Sequence, residues 1–202
     1  MKPAEIIEQI DTHLAQATAL SRELRAALAA QAAPPPLPPL ASALSGSRWT
    51  ERTARAAVGV LVRHARAGTL LTYMDLHREI AAVGGPNDVG ALQKYRGPLD
   101  KICIAFAEAY ERTHVLVPLL TVLVVNARTR LPGGGTNPHL KLWLQRSGNG
   151  QAASKSIATS ADPMPQPLFD LALKAVNDFR GWDDAMASLG LTGDPTTDMQ
   201  RN

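Results

Sequence analysis

The first 32 residues carry a heptad pattern. From Ile7, apolar or small residues recur at alternating steps of three and four positions, and the positions are Ile7, Ile10, Leu14, Ala17, Ser21, Leu24 and Leu28. This pattern predicts an amphipathic helix whose stripe a second copy would bury in a two-stranded coiled coil. A helix folded back onto its own domain would bury the same stripe. We expect a homodimer whose interface contains Ile7, Ile10, Leu14, Leu24 and Leu28.

A proline-rich segment follows this helix. Residues 34–39 read PPPLPP, and each proline removes an amide donor and disfavours helix in the preceding residue. The composition is typical of a stiff polyproline-type spacer, although a ligand for an SH3-like module would have a similar sequence. We therefore predict a linker over residues 33–47, with a globular domain beginning at Arg48.

Mixed helical and extended patterns fill residues 48–135. Thr72 and Asp75 have the spacing of a capping box, which predicts the start of a helix, and Gly68 is expected to end the helix before it. Pro98 suits the head of a third helix. The predicted order is a helix over 50–66, a short extended piece over 70–72, a helix from 73, a turn over 83–87, a short helical piece over 89–95, a helix over 98–112, a buried strand over 119–126 and a basic, glycine-rich turn over 127–135.

The remaining third of the chain has a weaker pattern. The stretch NPHLKLWL would form one or two helical turns, and the small and polar residues 145–166 predict a mobile loop. Helical periodicity returns from Phe169 to Leu189, and residues 192–202 are predicted to be a disordered tail. The globular domain is accordingly expected to span residues 48–191.

Composition and charge narrow the classes of protein. Hydrophobic residues make up 45% of the chain and aromatic residues 4%, so aliphatic side chains must fill a modest core. The single cysteine, Cys103, excludes an internal disulfide and a cysteine-based zinc cluster. The longest apolar run, Val115 to Val125, is much shorter than the ~20 residues that a membrane span needs. We expect no membrane association and, because no signal sequence is visible, a cytoplasmic location.

The basic residues concentrate where a nucleic acid would bind. Residues 48–130 contain twelve Lys or Arg against seven Asp or Glu. The element order resembles a winged helix, in which the third helix enters the major groove and a basic hairpin contacts the backbone. A basic surface is also common in proteins that bind no nucleic acid. The residues predicted to contact DNA are Tyr95, Arg96 and Lys101 at the third helix and Asn126, Arg128 and Arg130 in the wing.

Three short motifs carry a family resemblance. "TYMDL", "PLDKICIAF" and "VLVPLLTVLVVNARTRLPGGG" resemble the winged-helix DNA-binding domain of the methylated-DNA alkyltransferases and their non-catalytic alkyltransferase-like relatives. The chain is also similar to a set of small bacterial proteins with the same strand and a closing Trp-Asp that leads to Leu-Gly-Leu, here Trp182 to Leu191. The resemblance implies an α/β, mostly α, winged-helix-like domain that binds DNA, flanked here by an N-terminal coiled-coil-type helix and a C-terminal helix.

The departures from that family bear on chemistry. Where the alkyltransferases carry a reactive cysteine after a proline, Pro118 is followed by Leu119, so alkyl transfer by this route is excluded. Met74 replaces the glycine that follows Thr-Tyr in the family. Cys103 lies on the apolar face of the third helix, and we interpret it as a buried structural cysteine.

Other candidate sites have ordinary structural explanations. Asp75 and Glu79 share a helix face, but solvated helix charges are more common than a metal site, and His77 points elsewhere. We interpret the isolated residues His64, His114 and His139 as neither ligands nor bases. The LPGGGTN stretch could form an anion nest, but no helix is evident after it, and a tight turn that needs positive φ explains the glycines equally well. We predict no metal and no cofactor.

These observations favour a binding protein over an enzyme. Our leading interpretation is a non-enzymatic, DNA-associated winged-helix module, dimeric through its N-terminal helix. The alternative is a protein-interaction adaptor in a phage-related or defence assembly. A metal-dependent nuclease that uses Asp75 and Glu79 ranks third.

Overall fold

The computed structural model describes residues 16–24, 38–87, 95–148, 164–192 and 198. The chain divides into two units, Met1–Pro36 and Leu37–Asn202. In the first unit residues 16–24 are helical, and every one of their side chains is exposed, Leu24 to 63%. Ile7, Ile10, Leu14 and Leu28 lie outside the described residues, so the dimer interface stays a prediction.

The second unit is mostly helical with one small sheet, which confirms the expected mostly α class. Its two strands are parallel, with Leu71 opposite Val124 and Thr72 opposite Val125. The helices and strands are α1 (Trp49–Ala67), β1 (Leu71–Thr72), α2 (Tyr73–Ala82), α3 (Arg96–Thr113), β2 (Val124–Val125), α4 (Asn137–Arg146), α5 (Gln166–Asp178) and α6 (Trp182–Ser188).

Helix α1 forms the centre of the core. Its predicted apolar face is buried, including Ala54, Val58 and Leu61, and it packs against α2, α3 and α5. Gly68 ends the helix with φ of 64°, a left-handed conformation in which glycine lacks the steric penalty of a side chain, as the sequence predicts.

The predicted capping box at the start of α2 is present. The Thr72 hydroxyl accepts a hydrogen bond from the Asp75 amide at 3.2 Å, and the Asp75 carboxylate accepts one from the Thr72 amide at 3.1 Å. Two backbone donors that the helix cannot satisfy thereby gain partners. The box fixes the direction in which α2 leaves β1.

The strand predicted over residues 119–126 is wrong over most of its length. Leu120–Leu123 form a 3₁₀ turn, with the Val122 amide bonded to the Leu119 carbonyl, and only Val124 and Val125 are extended. All residues from 119 to 125 are buried. A continuous apolar run indicates that the segment is buried, but it has no periodicity by which a strand could be distinguished from a turn. The partner strand β1 offers only two residues, so the preceding backbone forms its hydrogen bonds locally.

The globular domain begins before Arg48, so the linker predicted over 33–47 is too long. Ala41, Ala43 and Leu44 are buried, and Ser42–Leu44 form a 3₁₀ turn. Three long-range interactions hold this turn. The Ala41 amide donates to the Leu189 carbonyl, the Ser42 amide donates to the Glu108 carboxylate, and buried Arg55 donates from Nη1 to the Leu44 carbonyl at 2.6 Å.

The C-terminal region also differs from its prediction. The single helix expected over 169–189 is two helices, α5 and α6, and between them Phe179 packs edge-to-face against Trp182 with ring centroids 4.8 Å apart. Helix α4 continues to Arg146, two residues into the predicted loop over 145–166, of which residues 149–163 lie outside the described part.

One residue of the predicted disordered tail is packed. Asp198 is 1% exposed, and its carboxylate accepts hydrogen bonds from the Thr192 amide and hydroxyl. The other residues of the tail beyond Thr192 lie outside the described residues. Within the described part of the chain, no helix is both long and apolar enough to cross a bilayer.

Candidate functional site

A pocket of about 610 Å³ opens where four segments of the domain meet. Its wall is formed by the start of α2, the first half of α3, the turn after β2 and the glycine-rich segment that leads into α4. The sequence resemblance centres on these same segments. The volume is typical of a site for a small organic molecule.

The glycines of residues 133–135 are explained by close approach of side chains. Gly133, Gly134 and Gly135 all lack positive φ, so the explanation as a tight turn needing positive φ is wrong. A Cβ on Gly133 would lie 3.0 Å from the Tyr73 hydroxyl, and one on Gly135 would lie 3.3 Å from Arg96 Nε. The absence of side chains here lets Tyr73 and Arg96 pack directly against the backbone.

The glycine-rich segment leads directly into a helix of ten residues, whereas the sequence NPHLKLWL predicts only one or two helical turns. Gly134–Thr136 form a 3₁₀ turn that continues into α4, with Pro138 in the first turn of that helix. Tyr73 packs against this segment, and burial raises the pKa of its hydroxyl, although a hydrogen bond with the Gly133 backbone opposes the rise. The Tyr73 hydroxyl therefore remains protonated at neutral pH.

Two arginines at the pocket lack ion-pair partners among the described residues. Arg96, in the first turn of α3, and Arg128, in the turn after β2, both line the pocket and are exposed. Several other basic residues of the domain are neutralised. Arg63 pairs with Glu79, Arg66 with Asp183, Arg146 with Glu111 and Lys174 with Asp178. Within the described ranges, Arg96 and Arg128 therefore place two positive charges without ion-pair partners at the pocket.

The turn that carries Arg128 is organised by Asn126. The Asn126 side-chain oxygen accepts hydrogen bonds from the Arg128 amide at 2.9 Å and the Thr129 amide at 3.3 Å. Two backbone hydrogen bonds, from Arg130 to Asn126 and from Asn126 to Leu131, complete the turn. Asn126 lines the pocket, but its side-chain oxygen is engaged in shaping the turn. Arg130 is exposed with φ of 57° and does not line the pocket.

Tyr95 and Lys101 do not join this site. Tyr95 is 3% exposed, its hydroxyl lies 2.8 Å from His77 Nδ1, and its ring packs edge-to-face on Trp49, so its prediction as a DNA contact is wrong. Lys101 does not line the pocket, and its ammonium lies 3.5 Å from the buried Glu51 carboxylate. The position of Tyr95 directly before Arg96 does not indicate that its side chain is buried.

The pocket contains one polar pair that sequence reasoning missed. His139 Nε2 and Asp100 Oδ1 lie 2.6 Å apart, and both residues line the pocket. They are 39 positions apart in the chain, so no local motif could have connected them. His139 is therefore not an isolated histidine, because it has a carboxylate partner. This pair gives the pocket a carboxylate that accepts hydrogen bonds, whereas the arginines only donate them.

Cys103 forms part of the pocket wall as a buried, protonated thiol. Its sulfur lies 3.3 Å from the Thr121 hydroxyl, and desolvation raises its pKa to about 12. The thiolate is the nucleophilic form of cysteine. The predicted burial of Cys103 is therefore confirmed.

The acidic pair considered for a metal is committed to other contacts. Asp75 caps α2, and hydrogen bonds from the Thr72 hydroxyl and amide lower its pKa. Burial raises the pKa of Glu79, but hydrogen bonds and charge from Arg63 and His64 outweigh burial and lower it overall. No cluster of three or more potential metal ligands occurs in the described ranges. His114, the third histidine considered as a ligand, directly follows the last residue of α3 and caps that helix with φ of 54°.

No family model, curated protein sequence or solved structure matches this chain.

Proposed function

We propose that the protein is a non-enzymatic, DNA-associated binding module whose DNA-facing surface surrounds the pocket. The observation that carries this proposal is the position of Arg96 and Arg128, two exposed arginines that line one pocket and have no ion-pair partners in the described part of the domain. Arginine is well suited to phosphate because its planar guanidinium donates two parallel hydrogen bonds.

Helix α3 and the turn after β2 supply the contacts in this proposal. Arg96 stands at the start of α3, and Arg128 and Arg130 project from a turn that Asn126 holds in shape. This is the arrangement expected if a helix and an adjacent loop contact neighbouring phosphates. The resemblance to the alkyltransferase-like winged helix supports the same surface. Tyr95 and Lys101 have no direct role in the revised interface.

Dimerisation through the N-terminal helix forms the second part of the proposal. Leu24, one of the predicted interface residues, is 63% exposed on a helical segment. Burying such a stripe between two copies would remove apolar surface from water. Two linked DNA-binding domains would also bind more tightly than one because the second contact becomes intramolecular.

The protein-interaction alternative has one observation in its favour. Ile104 on α3 and Leu142 on α4 are 37% and 38% exposed, and each is an aliphatic side chain on the surface of its helix. A docking surface for another protein would use such residues at its centre. The nuclease alternative lacks comparable support because Asp75 and Glu79 are engaged in the capping box and in ion pairs.

The test is fluorescence anisotropy of a labelled DNA duplex of about 25 base pairs, titrated at low salt. We expect the Arg96→Ala/Arg128→Ala variant to bind at least about tenfold more weakly, because two charge-assisted phosphate contacts are lost. The matched control is Arg66→Ala/Arg180→Ala, which removes the same charge from residues outside the pocket wall. Equal losses in both variants, or no binding by the unmodified protein, would refute the proposed surface.

A further inference from the structure

Three chemically different groups of residues line the pocket, and together they indicate which chemical groups a ligand would contain. Met74, Leu99 and Cys103 provide apolar surface, Arg96 and Arg128 provide positive charge, and Asp100 provides a carboxylate acceptor held by His139. A ligand that satisfies all three must contain an anionic group, an apolar or planar body and hydrogen-bond donors.

The size of the pocket excludes an inorganic anion as a good fit. A volume of about 610 Å³ far exceeds what a phosphate ion fills, and such an ion would leave the apolar wall in contact with water. An anion attached to a planar, hydroxyl-bearing body would cover the wall around Leu99 and donate to Asp100. A nucleoside monophosphate has these features in one molecule.

Arg96 is held in a position suited to the anionic group. The absence of a side chain on Gly135 allows Arg96 Nε, Cγ and Cδ to lie 3.3 to 3.7 Å from where a Cβ would stand. This contact places the Arg96 guanidinium beside the segment that leads into α4. The cavity and the two arginines thus define the site for the anionic group.

We propose that this pocket binds a small organic anion of the nucleoside monophosphate class as a free molecule. Because the same two arginines form the proposed DNA surface, a ligand bound there competes with DNA. The binding of the small molecule stands independently of the proposed function, whereas the competition rests on it. The protein would then release DNA when the ligand is abundant, and DNA would weaken ligand binding by the same factor.

The first experiment is isothermal titration calorimetry without DNA. Adenosine 5′-monophosphate is the test compound, and adenosine and inorganic phosphate are its two fragments. We expect the monophosphate to bind with a Kd below about 1 mM and each fragment to bind at least about tenfold more weakly. No heat of binding from the monophosphate, or equal affinity for inorganic phosphate, would overturn the inference.

Variants locate the binding site. Arg96→Ala is expected to weaken monophosphate binding about tenfold, Arg96→Lys to recover part of the loss, and the distant control Arg180→Ala to leave affinity unchanged. Gly135→Leu perturbs the same contact by changing the glycine instead of the arginine, because the added leucine side chain must displace Arg96. Thermal melting verifies that each variant is folded. Unchanged affinity in folded Arg96→Ala and Gly135→Leu proteins would place binding elsewhere and refute the assignment.

The second experiment adds the monophosphate to the preformed DNA complex during an anisotropy measurement. Displacement of DNA by the monophosphate, but not by adenosine at the same concentration, supports competition. Calorimetric binding with undisturbed DNA binding refutes competition alone. Calorimetric binding by a protein that binds no DNA would instead refute the proposed function and leave the small-molecule site intact.

Discussion

Cys103 should resist thiol reagents in the folded protein. Its sulfur is buried, and its pKa is raised to about 12 by desolvation. At pH 8 such a thiol is ionised in about one molecule in 10⁴, whereas a free cysteine with pKa near 8.5 is ionised in about one molecule in four. Because the thiolate is the reacting form, alkylation should be slower than for a free cysteine by about three orders of magnitude.

The assay is carbamidomethylation by iodoacetamide at pH 8, followed by intact-protein mass spectrometry. The comparison is the same protein unfolded in guanidinium chloride, in which Cys103 is exposed and should react like a free cysteine. Native labelling within about tenfold of the unfolded rate would refute both the burial and the protonated state assigned to Cys103. It would also reopen a nucleophilic function for the pocket, because the sulfur forms part of its wall.

Three further predictions concern stability. Thr72→Ala breaks the capping box and should cost about 1 kcal/mol, which lowers Tm by about 2–4 °C, and an unchanged Tm would contradict the role of the cap. The lowered pKa of Glu79 adds stability that is present at neutral pH and lost as pH falls below 4.5, so urea titrations at pH 7 and pH 3.5 should differ less in Glu79→Gln than in the wild type. Arg55→Ala should destabilise the domain by about 2–4 kcal/mol in urea because the buried Leu44 carbonyl and the Gly46 carbonyl lose their donor, and a loss below about 0.5 kcal/mol would show that water replaces it.

The features that were predictable from sequence are those set by neighbours in the chain. The α1 face repeats with helical period, Gly68 ends that helix, and Thr72 lies three residues before Asp75. Each depends on interactions within about one helical turn. The mostly helical class followed from the same local signals.

The features that were missed depend on distant partners or on the direction of a side chain. Asp100 and His139 meet across 39 positions, and Ser42 and Glu108 meet across 66. Tyr95 precedes Arg96 directly, yet one is buried and the other is exposed. Local spacing cannot show which side of a helix start faces the core when the core comes from other segments.

The glycines at 133 and 135 illustrate a third limit. Local sequence suggested a turn that requires positive φ, but these residues have ordinary backbone angles and accommodate Tyr73 and Arg96. The reason for each glycine is thus a side chain at least 39 positions earlier in the chain. Only the tertiary structure brings the two together.

The most direct test of the proposed DNA-binding surface is the salt dependence of DNA binding. Each phosphate contact that is lost should reduce the magnitude of the slope of log K against log salt by about one, because fewer counterions are released. We predict that Arg96→Ala reduces the magnitude of this negative slope by about one relative to the wild type, and that Arg180→Ala leaves the slope unchanged. A slope near zero for the wild type, or the same slope for Arg96→Ala, would contradict the proposal that this surface binds DNA.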